Sequence, residues 1–104
     1  MNRVEFSAVL IEKDALRHTP AGIPLLNCLL RHEGEAQEAG HGRRIELDLQ
    51  AVAVGQVSAV VNRLPLGQEA EFVGFLARKR MNSKMLVLHI TECRPAPTNR
   101  IERT

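Results

Sequence analysis

The sequence predicts an all-β fold with one short helix, closed as a five-stranded Greek-key barrel, and three observations point there. Five segments alternate apolar and polar side chains with the two-residue period of a strand. A single segment, after Gly55, carries apolar residues at helical spacing instead. The order of three strands, a short helix and a two-stranded hairpin suits a small barrel with the helix plugging one end.

The first strand places Val4, Phe6, Ala8 and Leu10 on one face. Its connection ends at Thr19-Pro20-Ala21-Gly22, where proline fixes φ and glycine tolerates positive φ. A second strand begins at Ile23. It sets Leu26, Cys28 and Leu30 against the opposite face of Leu25, Asn27, Leu29 and Arg31. From Glu33 to Gly42 glycines and acidic residues leave little to bury, which predicts a mobile connection.

The third strand starts at about Arg43, with Ile45, Leu47, Leu49 and Ala51 inward and Arg44, Glu46, Asp48 and Gln50 outward. Val57, Val60, Val61 and Leu64 then fall at i, i+3, i+4 and i+7, a helical stripe that Pro65 ends. Ala70, Phe72, Gly74 and Leu76 mark the fourth strand, and Leu86, Leu88 and Ile90 the fifth. Residues 1–93 form the expected barrel domain. Residues 94–104, with Pro95 and Pro97, are expected as an extended tail.

At 104 residues the chain fits one domain, able to bury roughly 65% of the surface its unfolded form exposes. Its formal charge is only +2, so contact with a polyanion requires locally concentrated charge. There is no apolar run able to cross a bilayer, and the N-terminus lacks the hydrophobic block of a signal peptide, which predicts a cytoplasmic protein without membrane contact. Cys28 and Cys93 have no paired C-x-x-C spacing and read as reduced thiols that pack as small hydrophobes.

Charge gathers on the last hairpin, where Arg78, Lys79, Arg80 and Lys84 crowd one short connection between strands. A cationic finger on a sheet suits a polyanion such as a nucleic acid, whose affinity is dominated by counterion release. The same residues also fit a solvated turn that keeps the hairpin soluble. Arg17, Arg43 and Arg44 are additional candidates; Arg31 and Arg63 read as ordinary surface cations.

Asn2-x-Val4-x-Phe6, Asp14, Arg17-x-Thr19-Pro20-x-Gly22, Leu66-Gly67 and Val73-Gly74-x-Leu76 resemble the bacterial single-stranded DNA-binding protein superfamily, an oligonucleotide-binding (OB) fold. Within it, Asn2-Arg3, Gly22-Ile23-Pro24, His32, Gln37-Glu38-Ala39-Gly40, Arg43, Gly74-Phe75, Ser83-Lys84-Met85 and Leu88-His89 resemble primosomal replication protein N, the PriB family. The likeness runs through Glu92. It implies a homodimer that binds single-stranded DNA and bridges a primosomal helicase and a loader protein during replication restart.

The chain departs from that family on the third strand, where Glu46 holds the position of a tryptophan and His41 stands where an aromatic ring could stack. Aromatic platforms are scarce, with no Trp or Tyr and three Phe. Phe6 and Phe72 belong to the predicted core. Weak, strongly salt-sensitive DNA binding is therefore expected. Leu25, Leu29, Val73 and Phe75 are predicted to face outward as an apolar patch that a symmetric dimer would bury.

Other classes are less well supported. Glu46 and Asp48 share a strand face but lack a nucleophile or oxyanion donors, so no enzyme is predicted. His18, His32, His41 and His89 fall in unrelated elements, and neither a metal nor a cofactor is expected. A general single-stranded DNA-coating protein would carry an acidic, apolar tail tip, whereas this sequence reads Asn99-Arg-Ile-Glu-Arg-Thr104. A pure protein-interaction module with little DNA affinity is the other alternative.

Overall fold

The computed structural model describes residues 1–96. Its elements are β1 (Val4–Lys13), β2 (Arg17–His18), β3 (Pro24–Glu38), β4 (His41–Val54), α1 (Val57–Arg63), β5 (Glu69–Arg78) and β6 (Leu86–Pro95). The sheet runs β1-β5-β6-β4-β3-β2, and pairing of β1 with β3 closes it into a barrel of five long strands. Only β4 and β6 run parallel, through Ala51↔Leu88 to Ala53↔Ile90.

Alternation fixes what goes inside. Ala8 and Leu10, Leu26, Cys28 and Leu30, Ala51 and Ala53, Ala70 and Phe72, and Leu88 and Ile90 form one buried cluster. Most were legible from period two alone; Leu86 is the exception on β6, exposed at the strand's start. The α1 stripe contributes Val61, with Leu64 just after the helix, and packs against β3, β4 and β6. Ser58 is buried beside them because its hydroxyl donates to the Gly55 carbonyl at 2.6 Å, which satisfies the group locally.

Residues 33–42 correct the expectation of a mobile connection. β3 and β4 continue in register from Leu25↔Val54 out to Glu38↔His41, and a two-residue turn, Ala39-Gly40, joins them with φ of 53° and 80°. Positive φ at both positions is the hairpin geometry that matches strand twist. A two-stranded ribbon needs no buried side chains to satisfy its backbone groups, so the polar composition hid a strand. Ile45 is half-buried and Leu47 exposed on this arm, since β3 beyond His32 pairs with β4 alone.

β5 and β6 meet at an irregularity. Between Val73 and Gly74 the pairing with β6 shifts by one residue, leaving Thr91 unpaired in a bulge. The shift presses the β6 backbone against Gly74, where an added Cβ would lie 2.0 Å from the His89 carbonyl oxygen. β6 runs on to Pro95, past the expected domain edge: Glu71↔Arg94 and Ala70↔Pro95 are paired, and the Ala96 N–H donates to the Glu69 carbonyl. The rest of the expected tail, residues 97–104, lies outside the described residues.

Candidate nucleic-acid interface

A cleft of about 540 Å³ opens on the outer face of β3, β4 and β6. Its floor uses the outward phase of the strands that build the core: Asn27 and Leu29, Gln50 and Val52, Val87 and His89. The end of β1, the following connection and β2 form one rim, bringing Lys13, the acidic Glu12 and Asp14, and Arg17. Arg78, Lys79 and Arg80 form the rim beside β6. Folding thus joins two basic segments that are far apart in sequence.

The finger is held by its own hydrogen bonds. Lys79 N–H donates to the Met85 carbonyl at 2.9 Å, and Ser83 N–H to the Arg80 carbonyl at 3.0 Å. Met85 N–H donates to Ser83 Oγ, and Arg78 Nη1 to the Met81 carbonyl at 2.8 Å. These contacts leave Lys79, Arg80 and Lys84 without a carboxylate partner among the described residues, as is Arg17. Lys84 is exposed on the finger but does not line the cleft.

Arg43 and Arg44 stand elsewhere. On the β3–β4 arm Arg43 pairs with Glu38 at 3.2 Å, and Arg44 with Glu46 at 3.1 Å and Glu33 at 3.5 Å. Glu33 and Glu46 face each other directly across the ladder, so one guanidinium offsets repulsion between them. Arg31 grips the next carboxylate, Asp48. Its two hydrogen bonds hold the Asp48 carboxyl below the usual range and push Arg31 further up. Along the arm Glu33, Glu35, Glu38, Glu46 and Asp48 outnumber these three arginines.

The four residues expected as an outward apolar patch are divided between β3 and β5. Val73 is only 1% exposed, and around it Arg94 on β6 reaches across β5 to Glu5 on β1 and also meets Glu71 and Glu92. Glu5 and Glu92 are the strand neighbours of Val73, and both pair with the same Arg94. Leu29 sits in the cleft and Leu25 is half-buried on β3, apart from Phe75 on β5. Phe75 stacks on His89, with ring centroids 4.9 Å apart and planes 5° from parallel.

Sequence reasoning found the finger and Arg17 but missed the floor. The available signal was chemical: Asn27, Gln50 and His89 put two amides and an aromatic ring in the outward phase of three strands. Cys28 borders the same cleft as a buried thiol pushed up to about 12 by burial, with Cys93 and Asp14 adding to the shift. Cys93 is raised by burial as well. Both are therefore thiols at neutral pH. No group of three or more potential metal ligands occurs among the described residues.

Residues 2–92 match the model of a family described as another single-strand binding protein family. The replication restart protein PriB of Bordetella pertussis is 48% identical over 94 residues, covering 90% of this chain and 88% of that protein. A solved structure of PriB from Ralstonia solanacearum superposes with a TM-score of 0.86 at 39% identity, over 93% of this chain and 99% of that one. The wild-type single-stranded DNA binding protein from Thermus aquaticus shares the fold, with a TM-score of 0.72 at 19% identity over 95% of this chain and 52% of that one. With the OB barrel in place and a PriB relative matched along nine-tenths of its length, this chain belongs to the PriB family of replication restart proteins, within the single-strand binding protein superfamily.

Proposed function

We propose that this protein acts without catalysis in cytoplasmic replication restart, holding single-stranded DNA along the β3–β4–β6 cleft. One observation carries the reading: Arg17 meets Arg78, Lys79 and Arg80 around a floor that mixes apolar, amide and aromatic groups. Cations on two rims suit a phosphate backbone, and the floor suits unpaired bases. Lys84 extends the positive field along the finger, whereas ion-paired Arg43 and Arg44 contribute little. Labelled oligothymidylate titrated by polarisation across a salt series tests this. Weak binding that strengthens as salt falls is expected; affinity independent of salt contradicts it.

The same reading includes a homodimer that stimulates a restart helicase and passes the assembly to a loader protein. Support for the dimer comes from β1, whose residues 4–8 pair with β5 on one side and with no strand on the other among the described residues. An open edge of this kind can add a second copy by backbone pairing. Sedimentation at micromolar concentration should give the dimer mass, and a monomer would remove that part. Addition of the protein should raise unwinding by the purified restart helicase. No change would remove the helicase role.

A protein-interaction module with little DNA affinity is the second reading, and the arm favours it. Its acidic balance repels phosphates, while Ile45 and Leu47 offer apolar surface that the barrel does not cover. Helicase stimulation without measurable DNA binding would select this alternative.

A further inference from the structure

We propose that His89 is the base-stacking residue of the cleft and that Phe75 is the positioning residue behind it. The inference rests on the single-stranded DNA reading and assigns the floor group that a base would meet. Register puts Asn27, Val52, His89 and Phe75 in one row across β3, β4, β6 and β5, with paired residues on the same face. Of the two stacked rings His89 lines the cleft and Phe75 does not.

This arrangement solves the shortage of aromatic residues. A lone imidazole on a strand can turn about its side-chain torsions, but the nearly parallel Phe75 ring fixes its plane. Val52, directly beside it, is buried and apolar, so the immediate surroundings favour a flat π-face over a solvated group. The finger begins at a suitable distance. Arg78 pairs with Leu86, three residues before His89, or about 10 Å along the strand. A nucleotide stacked at His89 can therefore place its flanking phosphates within the reach of Arg78, Lys79 and Arg80. Asn27 and Gln50 present amides to the base edge without selecting one base strongly.

Stacking and charge separate by salt dependence, since loss of a stacking face lowers affinity without altering the number of counterions released. Polarisation with labelled oligothymidylate should show that His89→Ala weakens binding about tenfold at every salt concentration, leaving the salt slope unchanged. His89→Phe should restore most affinity, His89→Gln should not, and Phe75→Leu should give an intermediate loss. Because the chain contains no Trp, His89→Trp supplies a single fluorophore whose emission should be quenched by the oligonucleotide. Equal affinity for wild type and His89→Ala, or a His89→Gln that restores binding as fully as His89→Phe, overturns the stacking role while leaving the cleft reading intact. Absence of any wild-type binding overturns both.

Discussion

Arg94 spans a whole strand to reach Glu5: from β6 its Nη2 lies 3.4 Å from Glu5 Oε2 on β1, with β5 between them. Contacts to Glu71 and Glu92 complete the network beside buried Val73. The ions are about half exposed, so solvent screening leaves each pair weak. Arg94→Ala should lower stability by only about 0.5–1 kcal/mol. Denaturant unfolding in low and high salt measures this, and the difference from wild type should narrow as salt rises.

Gly74 is the tightest of the glycine positions. A methyl group there would overlap the His89 carbonyl, and that obstacle is backbone rather than a movable side chain. Gly74→Ala should destabilise by about 3 kcal/mol, read as a lower denaturant midpoint at similar slope. Unchanged stability would mean that the Val73/Gly74 bulge can relax.

The hairpin turn makes the opposite prediction. Ala39 adopts φ of 53°, where a Cβ is unfavourable, next to Gly40 at 80°. Ala39→Asn places a residue tolerant of left-handed backbone at the first turn position. Melting should show a gain of about 0.5–1 kcal/mol; a loss would contradict the turn assignment.

These two positions illustrate what the sequence revealed. Alternation exposed the core because one face of each strand meets the barrel interior, as Leu26, Leu30, Phe72 and Leu88 do. It could not expose the arm, where the ribbon is held by backbone pairing and surface ions. Val73 lies on the outer phase of β5 that alternation predicts, yet is buried between Glu5 and Glu92, which are tied together by Arg94, a residue twenty-one positions later in the segment expected as a tail. For the site, local charge identified the finger, while the companion Arg17 and the floor acquired meaning only from closure of the barrel.

Asp48 ties pH to the arm. Its carboxylate accepts two hydrogen bonds from Arg31, at 2.8 and 3.1 Å, which lowers its pKa. A lowered folded-state pKa gives stability that is present above the ordinary aspartate range and lost as pH falls through the lower folded value. Asp48→Asn should therefore flatten the acid limb of a stability-against-pH profile. An unchanged acid limb would show that the ion pair contributes nothing measurable.

The central claim is that DNA contact belongs to cations on the cleft rather than to cations in general. Arg17→Glu with Arg80→Glu, compared with Arg43→Glu with Arg44→Glu, tests it directly by polarisation titration of labelled oligothymidylate across a salt series. The cleft pair should weaken binding strongly and reduce the slope of log affinity against log salt by about 1 to 2. The arm pair, already occupied by Glu38, Glu33 and Glu46, should have a much smaller effect. Equal losses from both pairs, or binding unaffected by the cleft pair, would contradict the account.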